Sequence, residues 1–406
     1  MKVRKPSEFQ QFYISIALHD LAGSLVSVFI LVYLYNLGFS LPALALYGIV
    51  HNGTRLLIAL PVARLINCFG LKHMLVASYG LLFLHSLAVI MLPHADIPIY
   101  LIAVFEGLAL TTFFIPYHIG VSRLAEDGYV AASVGLIYRL AWIAGAAGAL
   151  AGGWISQLFG VQYALIASAG IIAASVVPLL MSPEPIKRDQ NMDLRKFPWR
   201  KVWRDLLSFA GMSLHYVTIG RIWPFFLGVF VFAGAAYANL GILTALEVAL
   251  VSLFSAYFAK LIDNGKGRKL FHTATAANFI GHALRSFVAL PVVAYVFNFL
   301  VRPSSVASMM AYQDGAMTRG KEIVRNRVLY VTLTEIVIYA MIILTWTIVY
   351  LAFAVTGEEK LSLQVFFFVT AAVMLLSLAE NYKSLGKKRP RARHWLHDHY
   401  HHMRRR

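Results

Sequence analysis

The chain has a single cysteine, Cys68, among its 406 residues, which rules out an internal disulfide and a cysteine-based metal cluster. Charged residues are also scarce, since Asp, Glu, Lys and Arg together make up 14% of the chain, whereas soluble domains carry about a quarter. In contrast, 59% of the residues are hydrophobic, and the mean hydropathy is +0.68. This composition excludes an ordinary soluble domain and indicates a protein whose main solvent is lipid.

Motifs for catalysis are missing as well. The sequence has no Gly-Lys-Ser phosphate-binding loop and no recognisable spacing of nucleophile and base. The C-terminal segment 387–406 contains a histidine cluster that could chelate a metal, namely His397, His399, His401 and His402. This segment is mostly basic and has no apolar periodicity, so a tail that contacts lipid headgroups explains it better. We therefore expect no enzymatic activity, no cofactor and no bound metal.

Apolar runs of bilayer length recur between short polar breaks. A helix needs about 20 residues to cross a bilayer. The runs predict twelve spans, numbered in chain order at 12–35, 42–66, 73–92, 98–121, 131–158, 161–181, 206–232, 236–262, 270–290, 292–314, 326–354 and 361–384. Span 1 is too long for the hydrophobic region of a cleavable signal peptide, so we expect it to remain in the protein.

The net charge of +17 would suggest nucleic-acid binding in a soluble protein. Here most basic residues outside the spans lie in loops that the twelve spans place on the side of the termini, with Lys360 as the exception. These residues include Lys72, Arg123, 187–204, 266–269, 319–327 and the tail from Lys383. An excess of Lys and Arg marks cytoplasmic loops. We therefore expect a multi-pass protein of the plasma (inner) membrane with both termini in the cytoplasm, in contact with anionic lipid and not with nucleic acid.

One sequence offset recurs along the chain. Ala-Arg-Leu-Ile-Asn at 63–67, at the end of span 2, reappears as Ala-Lys-Leu-Ile-Asp at 259–263, at the end of span 8, 196 residues later. Such repeats are common in transporters. The offset predicts two pseudo-symmetric six-helix bundles, 1–182 and 206–386, joined by a basic cytoplasmic linker at 183–205 and followed by the basic, His-rich tail at 387–406.

The second part of the linker contains Trp199, Trp203 and Leu206 among basic residues. This pattern is typical of a short amphipathic helix on the membrane surface. A solvated linker explains it equally well, and the sequence does not decide between the two.

The arrangement resembles the major facilitator superfamily over nearly the whole chain. The superfamily signature between spans 2 and 3, roughly Gly-x-Leu-x-Asp-Arg-x-Gly-Arg-Lys, is similar to residues 63–72, which keep Leu65, Gly70 and Lys72 but have Asn67 in place of the acid. The second copy keeps its acid as Asp263. A further signature, Gly-Pro-x-x-Gly-Gly, resembles residues 148–153, with Ala in place of Pro.

The resemblance implies an all-α membrane protein of about twelve helices that acts by alternating access. It also implies a cytoplasmic gate built from the residues of the two basic turns, Arg64, Asn67, Lys72, Asp263, Arg268 and Lys269. For the glycines at 148–153 we expect helix packing rather than solute contact, because small residues let helix backbones approach closely.

Nine charged residues fall well inside predicted spans: Asp20, Arg55, Glu106, Arg139, Arg221, Glu247, Arg285, Arg302 and Glu335. Each would cost about 2.5–3.5 kcal/mol at the bilayer centre, so each should face the protein interior, a partner or water. Each can be either a functional residue or a structural ion pair that holds two helices in register.

In the superfamily, spans 2 and 11, and spans 5 and 8, pack at the junction of the halves. Arg55 and Glu335 lie at similar depths on spans 2 and 11, and spans 5 and 8 carry Arg139 and Glu247. We expect Arg55–Glu335 and Arg139–Glu247 to be inter-half ion pairs that form and break, or exchange partners, during transport.

Spans 4 and 10 line the central cavity in the superfamily, and Glu106 and Arg302 occupy repeat-equivalent positions on them. With Asp20 and Arg221 nearby, we expect a site for a polar or zwitterionic solute, and Trp223 offers an aromatic surface. Arginines outnumber acids, which favours an anionic solute. A desolvated carboxylate can titrate near neutral pH, so Asp20 and Glu106 are candidates for proton coupling.

The sequence therefore predicts a secondary active transporter for a small polar solute, working with membrane lipid and protons as a monomer. Two alternatives stay open. One is a flippase for lipid or lipid-linked sugar on the same fold, and the other is a membrane sensor or assembly factor that does not transport. A cavity lined by the buried charges would favour transport over the sensor.

Overall fold

A computed structural model describes residues 8–124, 130–181, 198–323 and 327–388. Within these ranges the chain is almost entirely helical, and no β-strand is present. Residues 182–197, which include the first part of the linker, and nearly all of the His-rich tail lie outside the described residues.

Each predicted span corresponds to a helical segment. Their bounds are Glu8–Ser24 with Ile30–Asn36 (span 1), Leu41–Phe69 (2), Leu71–Met91 (3), Ile99–Leu124 (4), Val130–Leu158 (5), Val161–Leu180 (6), Trp199–Val217 with Thr218–Ile222, Trp223–Phe226 and Leu227–Val231 (7), Ala236–Asp263 (8), Gly267–Arg285 (9), Pro291–Ile323 (10), Arg327–Thr356 (11) and Glu359–Met374 with Leu375–Ala379 (12). Across the described residues, nine of these helices are long and apolar enough to cross a bilayer, namely those of spans 2, 3, 4, 6, 7, 8, 10, 11 and 12.

Two spans depart from the predicted pattern. Span 1 is interrupted at 25–29 by a turn that separates its two helices. Span 7 begins at Trp199, seven residues before the predicted 206, and contains two π-helical turns. Its first turns are amphipathic, because Val202 is buried against Leu329 and Leu333 of span 11, whereas Trp203 is 57% exposed. The second part of the linker is therefore the beginning of span 7.

Helix packing reveals the pseudo-symmetry directly. In the first bundle, span 1 packs against spans 5 and 6, span 4 against spans 2 and 3, and span 3 against span 6. The second bundle has the same pairs six spans later: span 7 with 11 and 12, span 10 with 8 and 9, and span 9 with 12. The bundles meet where span 2 packs on span 11 and span 5 on span 8. Exchange of the two bundles turns the pair of spans 2 and 11 into the pair of spans 8 and 5, so the two contacts are equivalent. The fold of two pseudo-symmetric six-helix bundles is thus confirmed.

The glycine motif at 148–153 lies at these helix junctions. A Cβ at Gly148 or Gly152 would collide with a backbone oxygen of span 1, that of Leu21 or Leu25. A Cβ at Gly153 would lie 2.6 Å from the backbone oxygen of Tyr237 on span 8. The motif therefore allows span 5 to approach both span 1 and the opposite bundle.

The two ends of the molecule differ in how the bundles meet. We call the end that carries the links between spans 2 and 3 and between spans 8 and 9 the terminal end, and the other end the far end. At the far end, one buried apolar cluster includes residues of both bundles and joins Phe29 of span 1 to Phe226 of span 7 and Phe367 of span 12. Toward the terminal end, the remaining clusters belong mainly to one bundle or the other, with Val328 and Tyr339 of span 11 packed on the first bundle. The far end is therefore sealed by apolar contact between the bundles.

Candidate functional site

The carboxylate of Glu106 lies at the centre of a buried polar cluster. Glu106 is on span 4 and is 6% exposed. The Tyr47 hydroxyl donates a hydrogen bond of 2.7 Å to its Oε2, and His51 Nδ1 lies 2.7 Å from the same oxygen. Tyr47 and His51 are one turn apart on span 2, so they share a helix face. While Glu106 is ionised, a hydrogen bond here requires the proton of His51 to be on Nδ1.

Arg221 approaches the other oxygen of this carboxylate from the opposite bundle. Its Nη2 lies 3.3 Å from Glu106 Oε1. Arg221 is part of the π-helical turn Thr218–Ile222 of span 7, directly before the segment that contains Pro224. Such turns are frequent at functional sites because they change the direction in which side chains project. The Glu106–Arg221 ion pair thus connects the first bundle to the second.

The other two members of the predicted charge quartet have different partners. Asp20 Oδ1 lies 3.2 Å from Nδ1 of its neighbour His19. Arg302 Nη1 lies 3.3 Å from Glu247 Oε2, and this pair joins spans 10 and 8 within the second bundle. The structure therefore brings together Glu106 and Arg221 but not all four charges.

Trp223, the predicted aromatic surface of the site, is a core residue. Its side chain is buried, and its indole N–H donates to Asn298 Oδ1 at 3.1 Å. The ring stacks on Phe226 and contacts Phe367 edge-on. Trp223 therefore packs within the core of the second bundle.

The residues of the predicted Arg55–Glu335 pair lie at the same interface with other contacts. The Arg55 guanidinium stacks on the Tyr339 ring of span 11, 4.0 Å from its centroid. Glu335 is paired with His118 Nδ1 of span 4 at 2.7 Å. Both contacts cross between the bundles.

Of the predicted Arg139–Glu247 pair, the structure describes only the side chain of Glu247. The side chain of Arg139 lies outside the described residues. The described partner of Glu247 is Arg302, which belongs to the same bundle.

Family membership follows from comparison with known proteins. A sequence model described as Major Facilitator Superfamily matches residues 12–313, about three quarters of the chain. The chain belongs to this superfamily. No curated protein matches it.

Two solved structures of superfamily-type fold are similar to this chain. The nucleoside transporter NupG has 14% sequence identity and a TM-score of 0.66, with 94% of this chain and 100% of that chain covered. A bacterial homologue of the iron transporter ferroportin, in an inward-facing state, has 13% identity and a TM-score of 0.69, with 95% and 100% covered. At this level of identity the likeness concerns the fold alone.

The two basic turns typical of the superfamily lie at the terminal end. Lys72 donates to the Leu180 backbone oxygen at 3.2 Å. Arg268, which occupies the equivalent position 196 residues later, donates to Glu380 Oε1 at 2.9 Å and to the Tyr382 backbone oxygen at 3.0 Å. Both interactions link the third helix of a bundle to the end of its sixth helix, so they stay within a bundle.

The remaining residues of the predicted gate surround these turns. Arg64, Asp263 and Lys269 are exposed, and Asn67 is half-buried. The turns themselves contain Gly70 and Gly265, with φ of 92° and 76°, a region that favours glycine. The gate residues thus lie together at the terminal end, while the described bonds of the two basic turns brace individual bundles.

Several polar residues of the site were not among the sequence predictions. Tyr47, His51 and His118 contact the buried carboxylates. The only sequence signal for them is a tyrosine or histidine within an apolar run, and such residues are also common in ordinary helix packing. Their role depends on which helices meet, and a single sequence does not give that.

A second buried chain of polar groups lies within the second bundle. Arg285 Nη1 lies 2.8 Å from His282 Nδ1, and His282 Nε2 lies 2.8 Å from His215 Nδ1. Because arginine can only donate, His282 must accept at Nδ1 and donate from Nε2. The Arg285 guanidinium also lies 5.3 Å from the centre of the Trp223 ring. Arg285 is therefore a buried positive charge that contacts both His282 and the Trp223 ring.

Proposed function

We propose that the protein is a secondary active transporter that moves a small polar solute by alternating access around the Glu106–Arg221 pair. The observation that carries this proposal is a partly buried ion pair whose two members belong to different bundles, 3.3 Å apart. Membership of the superfamily supports transport as the general function. The similar structures include a nucleoside transporter and an iron transporter homologue, so their substrates differ and do not define the solute of this chain.

The ion pair gives a physical route for coupling solute to movement. For one bundle to tilt away from the other, Glu106 and Arg221 must separate. Arg221 then loses its carboxylate partner, and Glu106 keeps only Tyr47 and His51 of its own bundle, so the separation is costly. A solute carboxylate or phosphate can replace Glu106 at the guanidinium, since such groups form strong charge-assisted hydrogen bonds with arginine. A zwitterion can satisfy both charges at once. This argument favours an anionic or zwitterionic solute.

Proton coupling extends the same proposal. A proton taken up by Glu106 would neutralise the carboxylate and weaken its attraction to Arg221. His51, 2.7 Å from Glu106 Oε2, is placed to exchange that proton. Protonation and solute binding would then favour separation of the bundles through the same carboxylate.

The conformation fits one half of a transport cycle. Apolar contact between the bundles seals the far end, and one structural neighbour is an inward-facing transporter homologue. With the termini in the cytoplasm, as the distribution of basic residues predicts, the closed far end is the extracellular side, and we assign this conformation to an inward-facing state.

Transport is tested with purified protein in proteoliposomes. A thermal-shift screen first selects anionic and zwitterionic metabolites that raise the unfolding temperature. Uptake of the selected solutes is then measured with and without an imposed pH gradient. We expect specific uptake that an inward proton gradient accelerates. An uptake rate that is the same with and without the pH gradient would contradict proton coupling. Binding without any uptake would favour the alternative of a membrane sensor that does not transport.

We also propose that Glu335 exchanges partners during the cycle, pairing with His118 in this state and with Arg55 in the other. Glu335→Gln and Arg55→Gln are each expected to lower uptake by about tenfold or more, because one state loses about 1.4 kcal/mol or more of pairing energy. Uptake in proteoliposomes measures the effect, with Glu358→Gln on the exposed far-end loop as control. Full activity in both variants would contradict the exchange.

One observation favours the flippase as a second candidate. A cavity of about 480 Å³ lies between spans 8 and 10. Most of its lining is apolar, and the polar residues Glu247 and Asn298 also line it; the apolar residues include Leu243, Leu246, Leu250, Leu253, Val296 and Phe299. Leu253 and Phe299 are 71% and 61% exposed, so this apolar flank is open at its side. Such a shape accommodates an acyl chain next to a polar group. Transfer of a fluorescent lipid between leaflets of proteoliposomes distinguishes this function from solute uptake.

A further inference from the structure

The carboxylate of Glu359 connects the two bundles at the far end. Glu359 is at the beginning of span 12, in the second bundle. Its Oε2 accepts a hydrogen bond of 2.7 Å from the Tyr35 hydroxyl, and its Oε1 accepts one of 2.9 Å from the backbone N–H of Leu41. Tyr35 and Leu41 belong to spans 1 and 2 of the first bundle. Both oxygens are thus occupied by groups from the opposite bundle.

The bond to Leu41 has a specific structural role. Leu41 is the first residue of the span 2 helix, whose N-cap residue Ser40 makes no side-chain capping bond. The first N–H groups of a helix have no intrahelical acceptor, and the helix dipole favours negative charge there. Glu359 therefore supplies from the second bundle the cap that the first bundle lacks.

Other contacts between the two bundles lie near Glu359 at the far end. A Cβ at Gly228 of span 7 would lie 2.6 Å from Val32 Cγ2 of span 1. The Tyr35 ring makes an edge contact with Phe225. These contacts are apolar, whereas the two bonds of the Glu359 carboxylate are charge-assisted, and such bonds are stronger than hydrogen bonds between neutral groups.

We propose that Glu359 is the far-end latch of the transport cycle: its carboxylate holds the bundles closed by bonding Tyr35 and capping span 2, and it is released when the far end opens. The inference rests on the proposed alternating access and assigns the closing contact to one residue. Because Glu359 is separate from the Glu106–Arg221 pair, the latch can be changed without touching the solute site.

Accessibility of a single cysteine measures far-end opening. In a Cys68→Ser background, Val32→Cys places a thiol at a position that is 1% exposed and faces Gly228 of the other bundle. The protein is placed in lipid nanodiscs, and the rate of alkylation by a hydrophilic maleimide at low concentration is recorded. Under these conditions the rate follows the fraction of molecules with an open far end.

Glu359→Gln is expected to raise the alkylation rate roughly 5- to 30-fold, because the amide keeps the shape but loses the charge of the acceptor. Tyr35→Phe removes one of the two bonds and should cause a smaller rise. Glu358→Gln is the matched control, since this exposed neighbour has no described side-chain contact with the first bundle, and it should leave the rate unchanged.

A buried reporter in the first bundle, Leu75→Cys, separates opening from unfolding, because Leu75 is 0% exposed and should stay unreactive in every variant. Equal alkylation of Val32→Cys in the Glu359→Gln and Glu358→Gln proteins would overturn the latch. Faster alkylation in Glu359→Gln supports it even if uptake assays reject the proposed solute site, so the two proposals fail independently.

Discussion

Glu106→Gln is expected to lower solute uptake by at least about a hundredfold. The substitution keeps the size of the side chain but removes the charge that faces Arg221 at 3.3 Å and accepts from Tyr47. Removing one member of a fully buried ion pair typically costs about 3–5 kcal/mol, and the partial exposure of Arg221 reduces this penalty. A hundredfold loss corresponds to about 2.7 kcal/mol. Initial uptake rates in proteoliposomes measure the effect.

The double variant Glu106→Gln/Arg221→Gln distinguishes a functional from a structural ion pair. Two neutral side chains leave no uncompensated charge, so thermal stability should return toward that of the unmodified protein. Uptake should stay low, because the groups that recognise the solute are absent. Recovery of both stability and uptake would show that the pair only holds spans 4 and 7 together.

Gly153→Val is expected to destabilise the fold and lower its unfolding temperature by several degrees. The new Cβ would lie 2.6 Å from the Tyr237 backbone oxygen, and a Cβ at the facing Gly241 would be equally close to the Ala149 backbone oxygen. A backbone cannot move aside as a flexible side chain can, so spans 5 and 8 must separate. Overpacking of this kind costs about 1–3 kcal/mol, and occasionally more.

Gly170→Val is the matched control for this prediction. Gly170 is an exposed helical glycine of span 6, and a Cβ there meets no atom within 4 Å. Its substitution should change stability by no more than about 0.5 kcal/mol. Thermal unfolding of both variants, followed by intrinsic fluorescence, provides the comparison. A similar loss in the two proteins would mean that the close approach of spans 5 and 8 does not limit stability.

Hydropathy predicted the helices well because the bilayer requires a particular length of apolar residues in each span. It failed where a helix is stabilised by packing instead. The first turns of span 7 are amphipathic and basic, yet they are helical because Val202 is buried against span 11. The interruption of span 1 at 25–29 and the π-helical turns of span 7 also have no hydropathy signal.

The buried charges could be predicted one by one, since each is costly in lipid, but their partners could not. The 196-residue offset relates Glu106 to Arg302, and that relation describes equivalent positions in two bundles, not proximity. Spans 8 and 10 pack together, so Arg302 meets Glu247, while Glu106 meets Arg221 of span 7. Pairing depends on helix contacts that the sequence does not show by itself.

The most direct test of alternating access is one pair of distances measured by double electron–electron resonance. Spin labels on Cys68 and Lys266→Cys report the terminal end, and labels on Asp96→Cys and Lys360→Cys in a Cys68→Ser background report the far end; all four positions are exposed. On addition of a transported solute, the far-end distance should increase as the terminal-end distance decreases. Two distances that stay fixed, or that change in the same direction, would contradict the account.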